Sequence, residues 1–180
     1  MNKNRILLDT SVWISYFGER KQEHINRMEL ARIIINYCLE KKMTLFYCPQ
    51  IEAELRKGSH ATRNENIEQM KKIAEEILGH TGNEKWGQMS PVTWDKWGTK
   101  FGDKSESELG DKLESQLPDK NNKSNRTDRS ILVSAIKENI HIFLHENPQD
   151  FNKIKSDEIL LINLLEITSI SEFVDLISRA

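Results

Sequence analysis

Arg5-Ile6-Leu7-Leu8-Asp9-Thr10-Ser11-Val12-Trp13 is the stretch on which the reading of this chain turns. A short apolar run breaks off at an aspartate, a polar triplet follows, and a second apolar block continues to Phe17. An unalternating apolar run bounded by polar residues is the pattern of a strand covered on both faces. The triplet Asp9-Thr10-Ser11 then stands at that strand's carboxyl end.

Working outward, residues 23–42 repeat apolar positions at threes and fours (Ile25, Met28, Ala31, Ile35, Cys38), which predicts a helix. Residues 44–48 predict a second strand closed by Pro49, and residues 51–58 a helix stopped by Gly58. Ile67, Met70, Ile73, Ala74, Ile77 and Leu78 form the stripe of a further helix ending at Gly79. Residues 128–139 read as a helix with Ile131, Leu132, Ala135 and Ile136 inside. Residues 140–144 and 159–162 read as the third and fourth strands, and 171–178 as a closing helix. Strands alternating with helices imply βαβ crossovers, hence an α/β fold with a parallel sheet and helices on both faces.

The length of 180 residues suits one domain. Residues 80–126 break the pattern with five glycines and Pro91, and carry Trp86, Trp94 and Trp97, so we read them as an insertion. Composition is that of a globular protein, 37% hydrophobic and 30% charged. A net charge of −2 excludes a polybasic nucleic-acid binder while leaving room for a locally basic groove. Cys38 and Cys48 lie in apolar surroundings and form neither a redox pair nor a four-thiolate zinc site. No run approaches the ~20 apolar residues of a membrane span, and the first apolar run stops at Asp9, unlike a signal peptide. A cytoplasmic protein without membrane partners is the expectation.

Ligands of open parallel sheets bind beyond the carboxyl ends of the strands. Asp9 ends the first strand, Glu54 lies just after the second, Asp128 opens the helix before the third, and Asp150 follows the third. Carboxylates gathered together repel unless a cation sits among them, and such oxygen ligands suit Mg²⁺ or Mn²⁺. Helical spacing does not choose between Glu54 and Glu52. With Ile51 and Leu55 facing the core, both flank that face at similar angles.

Four motifs in order resemble the PIN-domain ribonucleases, and they span about three quarters of the chain. Ile6-Leu7-Leu8-Asp9-Thr10-Ser11 is similar to the opening motif, and Pro49 leading into Glu54-Leu55 resembles the second. Thr127-Asp128 with its alanine-bearing helix resembles the third, and Phe143 to Phe151 the fourth. The resemblance implies a three-layer α/β/α domain of Rossmann-like topology and a metal-dependent endoribonuclease. Asp9, Glu54, Asp128 and Asp150 would be its acidic site, with Asp9 and Asp128 the main metal ligands. It selects Glu54 over Glu52, and makes Thr10 and Ser11 the supports of Asp9. His145 stands where the family carries Thr or Ser, which leaves Glu146 or Asn147 as a residue to share or replace the role of Asp150.

The same resemblance points to VapC-like toxins, with RNA as substrate, an antitoxin protein as partner and a second copy of the chain as candidate assembly. Arg56, Lys123, Arg126 and Arg129 are the candidate RNA contacts, since cations beside an acidic site hold phosphates. Two other classes stand beside this reading. One is a haloacid-type phosphohydrolase, although Ser11 stands where that chemistry wants a second acid. The other is a non-catalytic RNA- or protein-binding module on the same fold.

Overall fold

Ile6, Leu7 and Leu8 are fully buried because β1 (Arg5–Leu8) is the middle strand of a five-stranded parallel sheet. A computed structural model describes residues 5–18, 25–57, 63–79, 123–146 and 165–179. From β1 the chain runs through α1 (Thr10–Tyr16) and α2 (Ile25–Glu40) to β2 (Thr44–Tyr47). It continues through α3 (Pro49–Lys57) and α4 (Arg63–Ile73) to β3 (Glu75–Glu76). Then α5 (Lys123–Lys137) precedes β4 (Ile142–His145), and β5 (Glu166–Ser169) passes directly into α6 (Ile170–Ser178).

The strand order is β3-β2-β1-β4-β5, every pair parallel. Register is set by Leu7 opposite Phe46 on one side and Phe143 on the other. Helices on both faces complete a three-layer α/β/α arrangement. The strand order reverses at β1, so the crevice between β1 and β4 is the topological switch point. Helix α1 packs on α2 and α3, α3 on α4 and α5, and α2 on α6, where Tyr37 meets Phe173 edge to face at 6.4 Å.

Helices α2 and α5 end alike. Met43 N–H donates to Cys38 O and Lys42 N–H to Leu39 O, at 2.8 and 3.2 Å. Ile140 and Asn139 repeat the pattern on Ala135 and Ile136. These are Schellman turns, with Lys42 (φ 55°) and Asn139 (φ 53°) as the left-handed residues. Each turn reverses the chain just ahead of a strand, β2 or β4.

Three sequence expectations change. The helix predicted to reach Leu78 stops at Ile73, because Glu75 and Glu76 pair with Phe46 and Tyr47 as an edge strand. Ala74 and Ile77 are buried there at a spacing that also fits a helix, which is why the pattern misled. Both glutamate side chains of β3 are exposed, and charge on an exposed edge discourages pairing with other chains. The helix expected from Asp128 starts at Lys123, so its basic residues belong to a helix rather than a loop. A fifth strand, β5, was not anticipated, being only Glu-Ile-Thr-Ser and more polar than β1, β2 and β4. Tertiary pairing with β4, together with the capping box of Ser169 and Glu172, holds it.

The predicted strand at 159–162 lies outside the described residues, as do Trp86, Trp94, Trp97, Asn147 and Asp150. No helix among the described residues is long and apolar enough to cross a membrane.

Candidate active site

Asp9 leaves β1 with extended backbone (φ −63°, ψ 158°) and caps α1. Its N–H donates to Leu144 O at 2.9 Å, which ties it to β4 at the switch point. The Ser11 hydroxyl donates to Asp9 Oδ2 at 2.5 Å, and the Ser11 N–H donates to the same oxygen at 3.3 Å. From the opposite side, the Glu146 backbone N–H donates to Ser11 Oγ at 3.4 Å. Ser11 therefore joins the ends of β1 and β4. An aspartate two residues ahead of a serine at a helix start is a capping arrangement, so the local sequence alone orients this carboxylate.

Glu54 arrives from α3. Ile51 and Leu55 are buried against the sheet, and α1 packs on α3, which brings Glu54 to the start of α1. The Thr10 hydroxyl donates to Glu54 Oε2 at 2.5 Å. Burial raises the Glu54 carboxyl above the usual range, and the charge of Asp9 adds to this, while Thr10 and Lys57 pull the other way. Two carboxylates from separate elements thus sit within electrostatic reach, each held by a hydroxyl of the polar triplet. Cys48, at the end of β2, senses both: burial pushes its thiol up to about 11, with Asp9 and Glu54 adding to the shift.

Glu52 takes the other direction. It pairs with Arg56 one turn on and with Lys71 of α4 at 3.1 Å. Burial works to raise its carboxyl, but the two cations outweigh that and hold it below the usual range. The choice that helical spacing left open is made by packing, and Glu54 is the glutamate beside Asp9.

The remaining predicted residues are distributed as follows. Asp128 lies half-buried on α5, the helix packed against α3. Among the described residues no three Asp, Glu, His or Cys side chains are grouped to hold one ion, so Asp128 does not close a tight cluster with Asp9 and Glu54. Arg56 pairs with Glu52 while its side chain stays 52% exposed, and Arg129 is only 4% exposed. Arg126 is exposed, and the Lys123 side chain lies outside the description. Glu146 is buried beside Ser11 with its side chain 2% exposed, and Arg27 at the start of α2 lies 3.9 Å from its Oε2. Sequence reasoning did not single out Arg27, because its contact is 119 positions away along the chain and leaves no local signal.

No model of a known protein family matches the chain, and no curated protein matches it. Among solved structures, the chain is similar to VapBC2 from Rickettsia felis bound to a DNA fragment from their promoter. The two share 13% identity over 91% of this chain and 97% of that one, with a TM-score of 0.43.

Proposed function

We propose that the chain is a metal-dependent endoribonuclease of the VapC-like, PIN-domain kind, acting in the cytoplasm and restrained by an antitoxin protein. The observation that carries the reading is the pairing of Asp9 and Glu54 at the switch point, with Ser11 and Thr10 holding them. Glu54 is raised first by burial and further by the charge of Asp9, and a cation between the two carboxylates relieves both costs. Their hard oxygen donors fit Mg²⁺ or Mn²⁺, and Mg²⁺ keeps several waters and needs only one or two protein carboxylates. Asp9 and Glu54 would hold the ion, with Asp128 and Asp150 extending the set.

Such an ion supplies Lewis-acid stabilisation of the charge that develops when a phosphodiester is hydrolysed. The chain's own residues do the rest. Ser11 fixes the rotamer of Asp9 through two hydrogen bonds to one oxygen, and Thr10 does the same for Glu54 through one. Fixing both before substrate arrives removes reorganisation from the reaction. A second copy of the chain is the proposed assembly.

The test uses purified protein and a labelled RNA oligonucleotide. Cleavage with Mn²⁺ or Mg²⁺ that stops in EDTA, and falls at least ~100-fold in both Asp9→Asn and Asp128→Asn, is the expected result. Unchanged cleavage by either folded variant overturns that residue's assignment as a metal ligand. RNA bound but never cut, with no Mn²⁺ binding in titration calorimetry, makes the protein a binding module. Phosphatase turnover without RNA cleavage makes it a phosphohydrolase.

A further inference from the structure

Arg27 stands in the third position of α2, exposed, with its guanidinium 3.9 Å from the buried carboxylate of Glu146. That separation makes an ion pair without a hydrogen bond. Glu146 is itself fixed at the site, since its backbone N–H bonds Ser11 Oγ, the atom that holds Asp9. Arg27 is thereby placed one glutamate side chain from the Asp9 end of β1, with half of its side-chain surface open to solvent (48%). A guanidinium has five N–H donors in a planar fork that matches phosphate oxygens. Held over a buried carboxylate, it loses less freedom on binding a second anion than a mobile surface cation does.

We propose that Arg27, anchored by Glu146 beside the Ser11–Asp9 pair, is a substrate-binding residue that grips an RNA backbone phosphate next to the scissile one. The inference rests on the ribonuclease reading above and adds a phosphate contact to it. The two negative groups of the site, Asp9 and Glu54, repel a polyanion. A half-exposed cation paired with Glu146, whose backbone bonds Ser11, offsets that repulsion. Glu146 acts through Arg27 and is a positioning residue.

The experiment measures RNA binding by fluorescence anisotropy in EDTA, which prevents cleavage, and separately the kcat and KM of cleavage with Mn²⁺. Arg27→Ala is expected to weaken RNA binding roughly 10-fold, as loss of a hydrogen-bonded charge contact implies. The slope of log affinity against log salt should fall by about 0.7, the value for one contact to a single strand. KM should rise in step, while Mn²⁺ affinity by calorimetry stays at the wild-type value. Arg27→Lys should restore the salt slope and only part of the affinity, since an ammonium lacks the fork. Arg27→Gln keeps the aliphatic stem and a polar end without the charge, and covers the case in which the alanine variant fails to fold. Adding Glu146→Gln to Arg27→Ala should weaken binding no further, because the two act as one unit. Wild-type protein that cuts RNA, with Arg27 variants unchanged in affinity and salt slope, overturns this inference and leaves the ribonuclease reading standing. Wild-type protein that neither binds nor cuts RNA overturns both.

Discussion

The Thr10 hydroxyl reaches across 44 positions of chain to donate to Glu54 Oε2. It couples the first residue of α1 to the middle of α3, and so couples the end of β1 to the helix that follows β2. Replacing it with the isosteric Thr10→Val leaves a half-buried carboxylate without that donor. Residues that orient ligands typically matter by 10–100-fold in metal affinity or activity. Thr10→Val should lose Mn²⁺ affinity in that range, and Thr10→Ser should recover most of it. Calorimetry distinguishes the two, and equal affinities in all three proteins would show that Thr10 only packs.

Glu52 and Glu54 are two residues apart and should behave differently. Glu54→Gln is expected to lose at least ~100-fold in RNA cleavage with a native melting curve, as removal of an anionic group from a metal site implies. Glu52→Gln breaks a partly exposed network with Arg56 and Lys71 and should cost at most about 1 kcal/mol of stability, leaving cleavage intact. Similar losses of cleavage in both would place the site elsewhere on α3.

Lys42 holds φ 55° in the turn between α2 and β2. A side chain in that region costs ~1–2 kcal/mol, against a glycine's extra chain entropy of ~0.5–1 kcal/mol. Lys42→Gly should therefore stabilise the fold by about 0.5–1 kcal/mol, read as a higher urea midpoint at constant slope. A lower midpoint would show that the Lys42 side chain contributes more than its backbone strain.

Burial pushes the Cys38 thiol up to about 12 and, together with Asp9 and Glu54, the Cys48 thiol to about 11. The folded chain keeps both protons well above the pH at which an unfolded thiol ionises, about 8.5. Above that pH the unfolded state binds fewer protons than the folded one, so stability falls as pH rises. The urea midpoint should drop between pH 8 and pH 10, and drop less in the Cys38→Ala/Cys48→Ala variant. A thiol reagent should leave the native protein unmodified at pH 8 and react once urea is added. Fast reaction of the native protein would contradict the burial of both residues.

Ile6-Leu7-Leu8 and Phe143-Leu144 were legible as strands because a strand covered on both faces needs an unbroken apolar run, and nothing outside the run is required to recognise it. The α/β class followed from their alternation with helices, and the support of Asp9 by Ser11, which the motif resemblance implied, joins residues only two apart. In each case the interacting groups are neighbours in the chain, so local sequence is enough to determined them. Other features have no local cause. Glu75-Glu76 is a strand only because Phe46 and Tyr47 lie alongside it, and Glu166–Ser169 only because β4 does. Glu54 and Glu52 present equivalent angles on an isolated helix, and it is the packing of α1 and α4 against α3 that turns one toward Thr10 and Asp9 and the other toward Lys71. Arg27 reaches Glu146 for the same reason. The sequence by itself determined the apolar strands β1, β2 and β4, the helices α2, α3, α5 and α6, and the carboxylate that ends β1. Which second carboxylate and which arginine stand beside it was decided by tertiary structure, because those contacts join residues whose separation is set by packing and not by the periodicity of any one element.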